Sequence, residues 1–292
     1  MRSYHISELE QLSGIKAHTI RVWERRYQLI EPERTGTNIR MYDDIQVRRL
    51  LNVATLLAGG YKISVIAALS EKEMHEKVRE LKEAEQPGDA MATAYVNDLV
   101  ISMLDFNEAA FEKTFSASVT RYGMPEAVLN VFYPLLLRIG LMWATDKATP
   151  VQEHFASVII RRKLLAATDG LMPPVRKNKK FLLMLPPGEW HEIGLLFADY
   201  LLRAKGFATI NMGQNVPYEN VAGVVAHAGV THLLLFFIAR KPAAEMAQLR
   251  KKMRLPQQVQ LYVAGNAEIT TPLSKEKNTT ILTSPHHLLK IV

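Results

Sequence analysis

The last third of the chain alternates apolar segments with amphipathic ones, and this alternation restricts the possible folds more than any other feature. The apolar segments predict five strands, at Phe181–Leu185, Phe207–Met212, His232–Ile238, Gln260–Val263 and Thr280–Thr283. Helices are predicted between them, at Glu192–Lys205, Tyr218–Ala228 and Ala243–Met253. Strands and helices that alternate in this way build a doubly wound parallel sheet. We therefore expect an α/β domain over residues 179–292.

The middle of the chain lacks this alternation and is predicted to be helical throughout. Four helices are expected, at Asp89–Leu104, Asn107–Arg121, Pro125–Ala144 and Pro150–Leu171, with breaks at residues 105–106, Gly123 and residues 146–149. This number of helices, joined by short loops, is typical of a four-helix bundle, here over residues 89–175. Pro173-Pro174 and the basic run Arg176–Lys180 predict a linker to the sheet.

The first part of the chain predicts short helices separated by turns, in a domain over residues 1–75. The expected helices are Glu8–Leu12 with Ser7 as its N-cap, Ile15–Tyr27, a third that starts at Asp43-Asp44 and ends at Gly59-Gly60, and Ser64–Leu69. The charge-dense segment at residues 71–88 predicts a solvated helix, and residues 76–88 are expected to link this domain to the bundle.

Composition limits the classes of function. The chain has no cysteine, which excludes disulfides, thiolate zinc sites and cysteine nucleophiles. Its net charge of +7 is compatible with nucleic-acid binding. We find no signal peptide and no apolar run long enough for a membrane span, so we expect a soluble, cytoplasmic protein. No phosphate-binding loop, zinc-protease signature or nucleophile elbow is present, so we do not expect an enzyme.

Basic side chains are concentrated in the second predicted helix. Arg21 and Arg25 are four residues apart and share a helical face, with Arg26 beside them. Thr19 and Tyr27 add neutral groups that can contact phosphates. Guanidinium groups suit both phosphate contacts and bidentate contacts to guanine. The alternative is a solvated basic helix face.

Residues Thr19–Tyr27, with the sequence TIRVWERRY, and Thr37–Tyr42, with the sequence TNIRMY, closely resemble the MerR family of transcription regulators, as does Tyr4–Leu12. The resemblance implies a winged helix-turn-helix whose second helix carries the DNA-contacting arginines. Arg40 and Tyr42 would contact DNA from the wing. It also implies that a dimer or tetramer binds a pseudo-palindromic operator in double-stranded DNA.

The turn after the first predicted strand of the sheet contains Glu189, His191 and Gly194. An imidazole in such a turn can ligate a metal while a neighbouring carboxylate fixes its tautomer. Gly194 would let a ligand or a neighbouring strand approach the start of the helix closely. A solvent-facing loop histidine is the alternative.

The pattern Glu-x-His-x-x-Gly after the first strand of a flavodoxin-like, or Rossmann-like, domain resembles the cobalamin-binding signature. The resemblance implies that His191 is the lower axial ligand of cobalt and that Glu189 accepts a hydrogen bond from its other ring nitrogen. It also implies that the nucleotide tail of cobalamin is buried in the domain, beside Gly194 and Gly265.

Trp143, followed after nine residues by Glu153-His154, resembles light-sensing, adenosylcobalamin-dependent MerR-type regulators of carotenoid genes. The resemblance implies that Trp143 and Glu153, with His154, cover the adenosyl group. The chain departs from this family at Ala144, where some members have the histidine that takes the cobalt after photolysis. This departure argues against such a photoproduct, unless His154 replaces that histidine.

Three further departures lie where the nucleotide tail is expected. Phe236 and Phe237 stand in the strand that usually carries a tail-contacting serine, and Ala264 replaces the first glycine of a Gly-Gly pair. Bulkier residues at a close approach clash with a buried ligand. These residues predict weakened or abolished cobalamin binding.

Three functions follow from these patterns. The first is a DNA-binding repressor that senses adenosylcobalamin and light, the cofactor setting its oligomeric state and operator binding. The second is a cobalamin-independent MerR-type regulator whose degenerate cobalamin domain serves oligomerisation or partner binding. The third is a corrinoid enzyme or methyl-carrier subunit, against which the DNA-binding residues argue.

Overall fold

The computed structural model describes residues 4–83, 88–143, 149–238, 246–265, 270–273 and 276–291. The chain divides into two compact units, Met1–Val158 and Ile159–Val292. The predicted roles of Ala144 and the predicted start of a helix at Ala243 fall outside the described residues.

The N-terminal segment of the first unit forms five helices and a two-stranded hairpin. They are α1 (Ile6–Ser13), α2 (Ala17–Tyr27), β1 (Glu33–Arg34), β2 (Arg40–Met41), α3 (Asp44–Ala58), α4 (Ile63–Ala67) and α5 (Glu71–Glu83). The hairpin is antiparallel and forms the wing expected after α2. Tyr4 pairs with Tyr42 through two backbone hydrogen bonds, of 2.7 and 2.9 Å, which join the start of the chain to the end of the wing.

The N-caps of α1 and α3 compare differently with the sequence prediction. The N-cap of α1 is His5 and not Ser7, because the carboxylate of Glu8 accepts a hydrogen bond from the backbone N–H of His5. The prediction for α3 is confirmed, since the Asp43 side chain accepts from the backbone N–H of Gln46 at 2.8 Å.

Helix α5 is amphipathic and not solvated all round. Its charged residues hide an apolar face formed by Met74, Val78 and Leu81, which are buried. Leu81 lies on Gly59, where an added Cβ would come within 2.6 Å of its side chain. Because glycine has no side chain, Gly59 lets α5 pack closely against the end of α3.

The bundle region contains α6 (Gly88–Leu104), α7 (Glu108–Ala127), a π-helical turn (Val128–Phe132), α8 (Tyr133–Trp143) and α9 (Pro150–Asp169). The break predicted at Gly123 is confirmed, because this residue has a φ of 74° and interrupts the helical geometry of α7. Buried Asn97 donates to the carbonyl of Leu51 at 3.0 Å and accepts from Arg138 at 2.7 Å. It therefore joins α6 to both α3 and α8.

The second unit contains a five-stranded parallel sheet in the order β4-β3-β5-β6-β7. Its elements are β3 (Arg176–Met184), α10 (Ile193–Ala204), β4 (Phe207–Asn211), a 3₁₀ turn (Tyr218–Asn220), α11 (Val221–Ala228), β5 (His232–Phe237), α12 (Leu249–Lys252), β6 (Gln260–Gly265), a 3₁₀ turn (Thr271–Leu273), β7 (Thr279–Leu282) and α13 (Pro285–Leu289). This is the flavodoxin-like order, which confirms the predicted doubly wound sheet.

The basic run Arg176–Lys180 is the first half of β3 and not a linker. Arg176 and Lys179 lie over the ring of Phe207, at 5.1 and 5.6 Å from its centroid, so their stems cover the edge of the sheet. The apolar period of a strand is masked by these charges, which is why the sequence predicted a linker there.

The two faces of β5 have different neighbours. Leu233, Leu235 and Phe237 belong to a core cluster that also contains residues of α11 and α12. Phe236 contacts Gly194 in the first turn of α10. Strands β3 and β5 are neighbours in the sheet although α10, β4 and α11 separate them in the chain, so their carboxyl ends form the switch point where ligands bind in such sheets. Among the described residues, we find no helix long and apolar enough to cross a membrane.

Candidate functional site

The turn between β3 and α10 stands at this switch point and is fixed by the loop after β4. The backbone N–H of Gly188 donates to the side-chain oxygen of Asn215 at 2.8 Å. The backbone N–H of Asn215 donates to the carbonyl of Glu189 at 3.2 Å. Asn215 was not predicted as a site residue, because nothing in its own sequence neighbourhood links it to a turn 27 residues upstream.

Glu189 is the centre of the turn, and its side chain is fully buried. Its Oε1 accepts from the backbone N–H groups of Trp190 and His191, at 3.0 and 3.2 Å. Its Oε2 accepts from the backbone N–H of Ile238 at 2.8 Å, just after β5. The carboxylate therefore holds the turn to the neighbouring strand and stabilises its own burial by hydrogen bonds.

The side chain of His191 lies beside this buried carboxylate. Its Nδ1 is 2.6 Å from Oε1 of Glu189, and its side chain is 63% exposed. A carboxylate accepts hydrogen bonds, so Nδ1 is the protonated nitrogen and Nε2 is the one with ligand character. Trp190 and Ile238 are also more than half exposed and give this edge of the sheet an apolar surface.

This arrangement suits only one kind of metal site. The described residues contain no group of three or more His, Asp or Glu that could hold a metal ion. A single imidazole oriented by a carboxylate would suit a metal whose other ligands come from a bound macrocycle. The exposed apolar side chains of Trp190 and Ile238 suit the flat surface of such a macrocycle.

The two glycines predicted to bind the cofactor contact protein atoms. A Cβ added to Gly194 would lie 3.0 Å from Cδ1 and 3.1 Å from Cε1 of Phe236. A Cβ added to Gly265 would lie 2.9 Å from the carbonyl oxygen of Phe237 and 3.3 Å from Thr270. Of the alternatives that the sequence left open at Gly194, the structure shows the close approach of a neighbouring strand.

The residues predicted to cover the adenosyl group lie on α8 and α9. Glu153 is in the first turn of α9 and accepts a hydrogen bond from the hydroxyl of Ser157. His154 is exposed, with Nδ1 3.4 Å from Oε2 of Glu153. Trp143 is the last residue of α8, and its side chain lies outside the described part of the structure.

The predicted DNA-binding arginines lie on α2, where Arg21, Arg25 and Arg26 are exposed. The guanidinium of Arg26 lies over the ring of Tyr27, 5.3 Å from its centroid. Thr19 is half-buried in the first turn of the same helix. These side chains can therefore form the basic face that a helix presents in a major groove.

Tyr42 lies at the end of the wing, as expected, but its side chain is buried. Its side chain is only 1% exposed, and its hydroxyl donates to Glu24 on α2. Burial and this hydrogen bond raise the pKa of the hydroxyl, which keeps it protonated as a donor. Tyr42 thus holds the wing to α2, and its burial leaves no surface for a DNA contact.

Glu24 is the residue that the sequence analysis missed in this domain. Besides Tyr42, it accepts from Nε of Arg40 at 3.1 Å, which fixes the wing arginine to α2. The sequence did contain a signal for this role, because Glu24 is the one acidic residue in the basic segment TIRVWERRY. A negative charge is unfavourable beside DNA, so its presence there indicates a structural role.

We predict that Glu24→Ala lowers both stability and DNA affinity. It removes the acceptor for Tyr42 and Arg40, which costs about 1–3 kcal/mol of unfolding free energy when the partners are buried. Operator affinity should fall although a negative charge has been removed from the DNA-facing side. Urea unfolding and a DNA titration measure the two effects.

The matched variant is Tyr42→Phe, which removes one hydroxyl and keeps Arg40 on Glu24. It should lose about 1 kcal/mol and keep most of the DNA affinity. Tighter DNA binding by Glu24→Ala would contradict the positioning role of Glu24.

Comparison with known proteins identifies two segments. Residues 4–73 match the family described as MerR HTH family regulatory protein. Residues 95–167 match the family described as B12 binding domain. The first match covers the wing and α2, and the second covers most of the helical bundle region.

Two curated relatives align with most of the chain. The HTH-type transcriptional repressor CarH of Myxococcus xanthus is 27% identical over 270 residues, which cover 91% of this chain and 90% of the relative. The HTH-type transcriptional repressor CarA of the same organism is 28% identical over 249 residues, covering 84% and 80%. Both relatives are transcription regulators.

A solved structure shares the fold. The monomethylamine corrinoid protein of Methanosarcina barkeri has a TM-score of 0.53 with 14% identity, and the alignment covers 68% of this chain and 96% of that chain. At this identity the likeness concerns the fold alone.

Proposed function

Since this chain joins a MerR-type helix-turn-helix domain to a B12-binding domain, we propose that it is a transcription repressor that senses adenosylcobalamin and light. The similarity to two repressors along most of the chain supports a DNA-binding, B12-sensing transcription regulator. Repression, the adenosyl form of the cofactor and the light response are the proposed part. The proposal assigns no reaction to the protein.

One observation carries the cofactor part of the proposal. His191 stands exposed at the carboxyl edge of the sheet, with Nδ1 2.6 Å from a fully buried carboxylate. A buried acceptor that orients an exposed imidazole is the usual support of a metal-ligating histidine. In this proposal His191 would hold the cobalt and Glu189 would be its positioning residue.

The remaining site residues have supporting roles in the proposal. Trp143, Glu153 and His154 are assigned to the adenosyl group by resemblance alone. When bound, adenosylcobalamin supplies a cobalt–carbon bond that visible light breaks. The protein contributes the imidazole that holds the metal and the carboxylate that holds the imidazole.

The DNA-binding part of the proposal uses the basic face of α2. Arg21, Arg25 and Arg26 would contact the operator, with Arg40 held by Glu24 on the wing. We propose that the dark cofactor sets the oligomeric state, dimer or tetramer, and thereby the number of DNA-binding domains that act together. A ligand changes this equilibrium only if it binds the two assemblies with different affinity.

The experiment is a gel-filtration run of the apoprotein mixed with adenosylcobalamin in the dark, with protein and corrin absorbance followed together. We expect corrin absorbance in the protein peak and a change in elution volume relative to the apoprotein. Illumination before the run should restore the volume of the apoprotein. A protein peak without corrin absorbance would contradict the proposal.

The contact between Gly194 and Phe236 favours the second candidate, a regulator that works without cobalamin. In this case the sheet domain would serve oligomerisation or bind a partner. Operator binding that responds to neither cobalamin nor light would support it.

A further inference from the structure

The space left open at Gly194, in the first turn of α10, is filled by a side chain of the protein itself. Phe236 is only 6% exposed, and two of its ring carbons lie 3.0 and 3.1 Å from the position of a Cβ on Gly194. The ring therefore rests on the backbone of the first turn of α10. Gly194 has no side chain, and the room this leaves is used by Phe236.

The neighbouring strand closes the same region from the side. Phe236 pairs with Ala264 in the parallel register of β5 and β6, and Ala264 is buried. Gly265 pairs with Phe237, whose carbonyl oxygen would lie 2.9 Å from an added Cβ. The small residues at the end of β6 thus bring these protein atoms close together.

The edge of the sheet around His191 is accessible to solvent. His191 is exposed next to exposed Trp190 and Ile238, whereas Glu189 beneath it is fully buried and bound to the N–H of Ile238. A ligand can reach the imidazole from the edge of the sheet. It cannot extend downward between α10 and β5 without moving the ring of Phe236.

A corrinoid could reach His191, but a nucleotide tail could not enter the space that Phe236 occupies. This difference matters because of how cobalamin holds its cobalt. The base of cobalamin's own nucleotide tail can hold the same cobalt, so His191 would hold it only in a cobalamin whose base is released. This release costs free energy, which contacts between the tail and the protein would have to offset. A corrinoid that lacks the tail, such as cobinamide, has no base to release.

From the Phe236–Gly194 contact we infer that Phe236 excludes the nucleotide tail and makes the site selective for the corrin ring. The site then binds corrinoids without a nucleotide tail at least as tightly as cobalamin. This inference rests on the proposed function, because it takes His191 as the cobalt ligand. Phe236 is its specificity-determining residue.

The test compares the dissociation constants of adenosylcobalamin and adenosylcobinamide for the full chain in the dark, measured by equilibrium dialysis with corrin absorbance. The wild-type protein should bind adenosylcobinamide as tightly as adenosylcobalamin or more tightly. In Phe236→Ala, which opens the space beside Gly194, the ratio of the two constants should shift by about tenfold or more toward cobalamin.

Phe207→Ala is the matched control, because it removes a buried phenylalanine from the same sheet without opening the space beside Gly194, and it should keep the wild-type ratio. A ratio within one variant is insensitive to partial unfolding, which lowers both affinities alike. A wild-type preference for adenosylcobalamin, or an unchanged ratio in Phe236→Ala, would overturn the inference and leave the proposed function intact. Failure to bind either corrinoid would overturn both.

Discussion

His191→Ala is expected to raise the dissociation constant of adenosylcobalamin by more than about 100-fold, because loss of a ligand's supporting partner alone costs about 10–100-fold. The variant removes the proposed axial nitrogen and leaves Glu189 bound to the backbone N–H groups of residues 190, 191 and 238. The fold should therefore persist. Equilibrium dialysis in the dark measures the binding, and circular dichroism checks the fold.

A control variant and a positioning variant sharpen this result. His227→Ala removes an exposed histidine on α11 of the same unit and should leave corrinoid binding unchanged. Glu189→Gln keeps the shape of the side chain but replaces one acceptor oxygen by an amide that meets N–H donors. We expect it to weaken binding by about 10–100-fold and to lower the unfolding free energy by about 1–3 kcal/mol.

Wild-type affinity in His191→Ala would show that this histidine does not hold the cofactor. If Glu189→Gln binds adenosylcobalamin with wild-type affinity while His191→Ala does not bind it, the carboxylate supports only the turn. A shifted visible spectrum of the bound corrinoid in Glu189→Gln is the signature of a positioning role, since a merely structural change would leave the spectrum of the remaining complex unaltered.

The second large effect is expected at the DNA-binding helix. Arg21→Ala and Arg25→Ala each remove an exposed guanidinium from one face of α2, and each should weaken operator binding by about 1–3 kcal/mol if the side chain reads a base. A phosphate contact would instead weaken all duplexes alike and reduce the salt slope by about one. Titrations at several salt concentrations, with a duplex selected by the protein from a random pool, distinguish these cases.

Lys72→Ala is the matched control for charge, because it removes one exposed cation from α5. The helix at this position is not expected to enter the groove, so the affinity and the salt slope should stay near their wild-type values. Equal losses in Lys72→Ala and Arg25→Ala would mean that only net charge acts, and would contradict a specific role for α2.

The sequence predicted the fold well wherever hydrophobic periodicity was intact. Strands β4, β5, β6 and β7 were all placed, as was the interruption of α7 at Gly123. It failed at Arg176–Lys180, because lysine and arginine stems can cover a sheet edge while their charges hide the strand period. It also failed at α5, where charged residues outnumber a buried apolar stripe.

The candidate site was predictable where the participating residues are close in sequence. Glu189 and His191 are two residues apart, and their contact was expected from that spacing. The contacts of Glu189 with Ile238 and of Gly194 with Phe236 depend on the neighbouring positions of β3 and β5 in the sheet. Only the strand order brings these distant segments together, so no local pattern could give them.

The same limit applies to the DNA-binding domain. The exposed arginines of α2 followed from their helical spacing, but Tyr42 was assigned to DNA because its position in the wing resembled a contact. Its burial against Glu24 depends on how the hairpin folds back on α2. The resemblance gave the position of Tyr42 in the fold, and the structure shows a different task for its hydroxyl.

The most direct test of cofactor-dependent regulation is the operator affinity of one protein preparation, measured in the dark with and without adenosylcobalamin and again after illumination. We predict a change in the dissociation constant of at least about tenfold, equivalent to a coupling free energy of about 1.4 kcal/mol, which illumination reverses. His191→Ala should bind the operator without responding to the cofactor. An operator affinity of the wild-type protein that is the same in all three conditions would contradict the account.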